Sequence, residues 1–151
     1  MENLIVDWSE NMTDEELKYK SDGFNKTIGT VFQDAPPNDL LEKAFNMIIE
    51  PCKVSVGVIA LQKHSDRGSR QTMIGNDFEK NKYAKNFIKD FMKSQIIWKN
   101  IHCIDGHNII FEMRNKDYGM RWYVSENNRS DPIFRGLLEP FENYKNTFKK
   151  A

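Results

Sequence analysis

Three arginines in the last third of the chain have the chemistry to recognise an anion, and two glutamates accompany them in the same segment. A guanidinium binds a carboxylate or a phosphate through paired donors. The candidate ligand-binding residues, with the aromatic side chains that would edge such a pocket, are Arg114, Arg121, Arg135, Trp122, Tyr118, Glu112 and Glu139. Two interpretations stay open. The residues form an anion pocket, or they form an Arg–Glu ladder that only holds neighbouring strands in register.

The segment that carries these residues is typical of a β-meander, a series of strands joined by short turns. Asp105-Gly106 separates two apolar-rich runs, which indicates a hairpin whose two turn positions need positive φ. A two-residue turn here pairs Lys99 with Glu112 and fixes which side chains share a face. The predicted core face carries Trp98, His102, Ile104, His107, Ile109, Phe111 and Met113. The predicted mixed face carries Ile97, Lys99, Ile101, Cys103, Ile110, Glu112 and Arg114.

Two amphipathic helices and a hairpin precede the meander. Asn38 suits the start of the first helix, and Pro51 ends it. Valines at 54, 56 and 58 alternate with small residues and predict a strand that returns through residues 71–74. Asn76 caps a second helix that runs to about residue 94, with lysines on its wet face.

This order of elements predicts an α+β fold. Its sheet is mostly antiparallel, with a β-hairpin plus a C-terminal β-meander, and two main amphipathic helices pack on one face. Residues 36–151 form this single domain, because 151 residues favour one domain and no linker interrupts them. Residues 1–35 form an acidic, partly irregular N-terminal segment.

The charge of the chain is balanced overall but uneven along its length. Residues 1–50 carry 11 acidic and 4 basic side chains, whereas residues 63–99 carry 9 basic and 4 acidic ones. This asymmetry indicates an anionic partner for the middle segment, unless the two segments simply face each other or water. The candidate residues of this basic loop and helix are Arg67, Arg70, Lys82, Lys85 and Lys89.

Two short motifs in the meander have a familiar form. YGMRW, at residues 118–122, and FRGLLEP, at residues 134–140, follow the patterns YGxRW and FxGxLEP. They resemble a motif pair of small uncharacterised eukaryotic proteins. The resemblance covers about residues 107–140 and implies no activity.

Several classes of site find no support in the sequence. The phosphate-cradling loops GxxxxGK[ST] and GxGxxG are absent, and so is the nucleophile motif GxSxG. The turn places Cys103 on the opposite face from His102 and His107, which separates the residues that a metal site would need. We therefore predict no cofactor, no metal and no catalytic residue. Two cysteines, and a first segment without signal-peptide features, predict an intracellular, cytoplasmic protein without membrane contact.

Three functions are compatible with these patterns. The first is a non-catalytic binding module for an anionic partner, namely RNA, a nucleotide or a phosphorylated ligand, held by an Arg and aromatic sheet surface. The second is a protein–protein interaction module that uses the acidic N-terminal segment. The third is a small enzyme that acts on a phosphate or carboxylate substrate, with the arginines as clamps and Glu112 or Glu139 as base.

Overall fold

The computed structural model describes residues 4–5, 7–66, 73–103, 105–138 and 149–150. Its helices are α1 (Asp14–Ser21), α2 (Asn38–Phe45), α3 (Val56–Asp66) and α4 (Asp77–Lys93). Its strands are β1 (Leu4–Ile5), β2 (Trp98–Cys103), β3 (Ile109–Arg114), β4 (Gly119–Val124), β5 (Ile133–Leu138) and β6 (Lys149–Lys150). The strands β2, β3, β4 and β5 form an antiparallel meander in that order, and β1 pairs with β6 in parallel. The predicted α+β class and the C-terminal meander are confirmed.

The longest helix, α4, forms where the sequence predicts it. The Asn76 side chain accepts a hydrogen bond from the Glu79 backbone N–H at 2.9 Å. In return, the Glu79 carboxylate accepts a hydrogen bond from the Asn76 backbone N–H. This reciprocal cap satisfies two amides that the first turn leaves unpaired. Buried Ala84, Ile88 and Phe91 lie on the inner face of the helix, at the expected spacing.

The predicted strand at Val54–Val58 is wrong, because this segment begins helix α3. The Ser55 hydroxyl accepts a hydrogen bond from the Val58 backbone, which is the contact of a helix N-cap. Val58 and Leu61 are fully buried at a spacing of three residues, which fits a helix and not a strand. The return arm at 71–74 forms no strand in its described part, residues 73 and 74.

The first predicted helix is shorter than expected. It ends at Phe45, not at Pro51, and the apolar residues Met47, Ile48 and Ile49 are exposed. Helix α3 packs beside α2 through Gly57, because a Cβ at this glycine would lie 2.4 Å from the Phe45 ring. The absence of a side chain therefore permits the close approach of the two helices.

Helices α2 and α3 contact strand β5, and both pack on α4. They cover the sheet face that carries Ile101, Phe111, Met113, Met120, Trp122, Phe134 and Leu137, here called the helix-side face. Trp122 is fully buried there, and its indole Nε1 donates a hydrogen bond to the Leu41 carbonyl at 3.1 Å. In the part of the chain that the structure describes, no helix is both long and apolar enough to cross a membrane.

The register of the β2–β3 hairpin differs by one residue from the prediction. Asn100 pairs with Glu112, and Lys99 pairs with Met113. The turn is longer than two residues because Asp105 Oδ1 accepts hydrogen bonds from the backbones of His107 and Asn108. Gly106 has a φ of 82°, in the left-handed region that favours glycine.

This shift turns β2 over relative to β3. Trp98, Asn100 and His102 therefore share a face with Glu112 and Arg114, and the predicted core face is wrong for β2. Ile109, Phe111 and Met113 of β3 do lie on the helix-side face, as expected. The opposite face, which carries Asn100, His102, Glu112, Arg114, Arg121 and Tyr123, is here called the charged face.

The outer edge of β2 is covered by the segment before α2. The backbones of Asn25 and Val31 donate to the carbonyls of Lys99 and Ile101, and Gly29 accepts from Cys103. The Tyr19 hydroxyl accepts a hydrogen bond from the Ile101 backbone at 2.6 Å. These contacts satisfy backbone groups that an edge strand would otherwise expose.

Candidate functional site

Glu112 is the centre of the charged face. It lies in the middle of β3, directly opposite Asn100 of β2 and Arg121 of β4. Its Oε1 accepts from Arg121 Nε at 2.6 Å, and its Oε2 accepts from Arg114 Nε at 2.7 Å. The carboxylate is fully buried, whereas the Arg114 and Arg121 side chains are 9% and 15% exposed. One acid therefore binds two guanidinium groups, and the formal charge of the trio is positive.

His102 adds a third nitrogen group to this cluster. Its Nε2 lies 3.4 Å from Glu112 Oε1 in a fully buried position. The ring nitrogens make no aligned hydrogen bond within the described residues, so the contact with the carboxylate is electrostatic. The Trp98 ring packs edge-on against the imidazole, with centroids 6.2 Å apart.

The pKa of Glu112 shows how strongly these neighbours act. Burial alone would raise the pKa of this carboxyl, because it disfavours the charged form. The His102 ring and the charges of Arg121 and Arg114 outweigh burial and lower the pKa to about 2. Glu112 is therefore ionised throughout the neutral range.

A second polar group lies beside the cluster. Asn100 is fully buried, and its Oδ1 accepts hydrogen bonds from the Tyr19 hydroxyl at 2.6 Å and from Thr30 Oγ1 at 3.0 Å. Its Nδ2 donates to Thr27 Oγ1 at 2.9 Å. Burial raises the pKa of Tyr19, so the phenol stays protonated and can donate. The amide therefore ties α1 and residues 27–30 to the sheet.

Arg135 lies on the charged face but outside the Glu112 cluster. Arg121 pairs with Gly136 and Trp122 pairs with Phe134, so Arg135 is the extra residue of a β-bulge. Its Nε donates to the Tyr123 hydroxyl at 3.1 Å, and its guanidinium lies 5.5 Å from the centre of that ring. The bulge thus places an exposed guanidinium beside the strand position of Arg121.

The aromatic edge of the predicted pocket is not formed by the expected residues. Trp122 is buried on the helix-side face, where its indole is bonded to α2. Tyr118 packs edge-on against Phe87 of α4, with centroids 5.2 Å apart. Neither ring faces the arginines, because β4 alternates its side chains between the two faces. Tyr123, which the prediction missed, is the aromatic residue that contacts Arg135.

The basic helix residues lie far from this face in the fold. Lys82, Lys85 and Lys89 are exposed on α4, which packs on α2 and α3. Arg67, Arg70 and Glu139 are outside the described residues. Among the residues that the structure does describe, no group of three or more His, Cys, Asp or Glu side chains could hold a metal ion.

The arrangement suits recognition of an anion at Arg121. Within the described part of the chain, Arg121 donates one hydrogen bond, from Nε to Glu112, and that bond fixes the plane of its guanidinium. No described residue accepts a hydrogen bond from its two terminal amino groups, and a guanidinium presents such groups in a geometry that matches a phosphate or a carboxylate.

Comparison with protein families, with curated proteins and with solved structures finds no match to this chain.

Proposed function

We propose that this protein is a non-catalytic binding module for a small phosphorylated ligand, which it holds between Arg121 and Arg135 on the charged face. The observation that carries the proposal is the 2.6 Å hydrogen bond from Arg121 Nε to Glu112. It orients the guanidinium before any ligand arrives, and preorganisation reduces the cost of binding.

The charge of the site supports the same proposal. Glu112 shares one negative charge between Arg114 and Arg121, so it neutralises the Arg121 guanidinium only in part. Arg135 adds a further positive charge to the site, because its Nε is bonded to the Tyr123 phenol and not to an acid. An anion that bridges Arg121 and Arg135 would form charge-assisted hydrogen bonds, each worth about 1.5–3 kcal/mol.

Burial of the aromatic side chains favours a small ligand over RNA. Sheets that bind single-stranded RNA stack bases on exposed aromatic rings. Trp98 and Trp122 are 4% and 0% exposed, and Arg135 covers Tyr123. Among the described residues, the charged face therefore offers donors for a phosphate but no free aromatic platform for a base.

The enzymatic alternative has less support. A general base acts best when its pKa is near the working pH. The pKa of Glu112 is lowered to about 2, and both of its oxygens are bonded to arginines. The carboxylate is suited to holding guanidinium groups and not to accepting a proton from a substrate.

The experiment is calorimetric titration with pyrophosphate at low and at physiological salt. We expect binding that weakens as salt rises, because the pairing is electrostatic. Arg121→Gln and Arg135→Gln should each weaken it by about 10- to 100-fold, the loss of one charge-assisted hydrogen bond. Arg129→Gln is the matched control, since Arg129 is exposed after β4 and takes no part in the cluster.

Arg135→Gln is the decisive variant, because Arg135 is exposed and its loss should not unfold the protein. Tyr123→Phe gives a second test, since it removes only the hydroxyl that holds Arg135 Nε. Pyrophosphate binding equal to wild type in Arg135→Gln, or no heat of binding at low salt, would refute the proposal.

A further inference from the structure

A cleft of about 520 Å³ lies on the helix-side face of the β2–β3 hairpin, away from the charged face. Its volume is in the range of small-molecule sites, roughly 300–1,000 Å³. Its walls combine charged and apolar side chains. They come from α1 and the segment after it, from the segment before α2, from the end of α4 and the segment after it, and from β2 and β3. They include Phe24, Met92, Ile96, Phe111 and Met113.

Lys99 of β2 reaches into this cleft beside the apolar side chains. Its Nζ lies 4.4 Å from the centre of the Phe24 ring, in a cation–π contact. Within the described residues it makes no hydrogen bond and no ion pair, although it is half-buried.

Partial burial without a bonded anion is unfavourable for an ammonium group. Desolvation lowers the pKa of Lys99, and the charge of Asp22 only partly opposes it. An ammonium group in this position gains stability from any carboxylate that enters the cleft.

The rim of the cleft limits the charge of such a ligand. Lys18 Nζ binds Asp34 at 2.7 Å and Asp22 at 3.3 Å, so the rim trio carries a net negative charge. Two rim carboxylates disfavour a dianion such as a phosphate monoester. The same two carboxylates repel a ligand with a single carboxylate less strongly, and such a ligand can pair with Lys99.

We propose that this cleft binds a monocarboxylate with an apolar body. The ligand carboxylate pairs with Lys99 Nζ, and its apolar part lies against Met92, Ile96, Phe111 and Met113. This site is independent of the phosphate site proposed above, because Lys99 and Arg121 lie on opposite faces of the sheet.

The test uses 1-pyrenebutyrate, whose fluorescence reports an apolar environment, and its neutral alcohol, 1-pyrenebutanol. We expect wild type to bind the carboxylate at least about tenfold more tightly than the alcohol, since a partly desolvated ion pair exceeds 1.4 kcal/mol. Lys99→Met should remove that preference and leave the alcohol affinity unchanged. Lys20→Met, at an exposed position on α1, is the matched control.

Two further variants separate the possible outcomes. Ala35→Phe fills the cleft and should weaken binding of both probes, whereas Arg121→Gln should change neither. In the complex, the pKa of Lys99 followed by NMR should rise, because a bound carboxylate favours the ammonium form. Equal binding of carboxylate and alcohol by wild type, or a carboxylate preference that survives Lys99→Met, would overturn the inference.

Discussion

Replacement of Glu112 by Gln tests the electrostatic centre of the fold. The substitution keeps the size of the side chain but removes the charge that faces Arg114 and Arg121, which are bonded to it at 2.7 and 2.6 Å. Both arginines then lose the carboxylate that bridges them. Removal of one partner from a buried ion pair typically costs about 3–5 kcal/mol.

The pKa of Glu112 gives a second route to the magnitude. A carboxyl whose pKa falls from 4.5 when unfolded to about 2 when folded stabilises the folded state by roughly 3 kcal/mol, since each pKa unit is worth about 1.4 kcal/mol. The two routes agree. For a chain of 151 residues, a loss of this size lowers the melting temperature by roughly 6–12 °C.

The pH dependence makes the test specific. Because folding lowers the pKa of Glu112, its contribution is complete above pH 4.5 and is lost as pH falls towards 2. We therefore expect urea unfolding, followed by tryptophan fluorescence, to show a stability difference between wild type and Glu112→Gln of about 3 kcal/mol at pH 7. That difference should shrink as the pH is lowered.

The control is Glu126→Gln, which changes the same charge at an exposed position and should alter stability by less than about 0.5 kcal/mol. The electrostatic reasoning is refuted if Glu112→Gln is as stable as wild type at pH 7. A large loss that stays constant between pH 7 and pH 3 would also contradict it, because it would assign the effect to packing.

Two further predictions concern the contacts that position the site. Gly57→Ala should destabilise the protein by about 1–3 kcal/mol in urea unfolding, because the new Cβ would lie 2.4 Å from the Phe45 ring. Gly136→Ala, whose Cβ would meet nothing within 4 Å, should lose less than half as much. Tyr19→Phe should cost about 1–3 kcal/mol, because it leaves the buried Asn100 Oδ1 and the Ile101 backbone each short of a partner. A Tyr19→Phe protein with wild-type stability would show that water replaces the hydroxyl.

The sequence predicts the meander and helix α4 well because their signals are local. Short apolar runs separated by turn residues determine the strands, and the cap at Asn76 with the stripe Ala84, Ile88 and Phe91 determines the helix. Both signals depend on residues at most a few positions apart, so no tertiary contact is needed to recognise them.

Helix α3 shows where local patterns fail. The alternating valines at 54, 56 and 58 have the period of a strand. The helix is favoured instead by contacts from distant residues: Phe45 packs on Gly57, and Asn81 of α4 accepts a hydrogen bond from the Ser55 backbone at 2.8 Å. Tertiary packing overrides a short run of β-branched residues, and the sequence alone does not show that packing.

The sequence predicts only part of the candidate site, because the other part depends on a strand register that local patterns do not show. The association of Arg114 and Arg121 with Glu112 follows from the alternation of strands, which the sequence does show. The position of His102 and Asn100 depends on the register of one hairpin, and the Asp105 side chain shifts that register by hydrogen bonds to His107 and Asn108. A single Asx-type turn therefore determines which residues of β2 face the charged cluster.

The ladder and the anion pocket, which appear as alternatives in the sequence, are compatible in the structure. Asn100, Glu112, Arg121 and Gly136 lie in one row across the four strands, so a one-residue slip of any strand would separate Glu112 from Arg121. The same contact orients the guanidinium for a ligand. Glu112→Gln should therefore weaken both folding and pyrophosphate binding, whereas Arg135→Gln should weaken binding alone. If Glu112→Gln lowers stability but leaves pyrophosphate affinity intact, the ladder explains the cluster completely, and Arg121 needs no ligand.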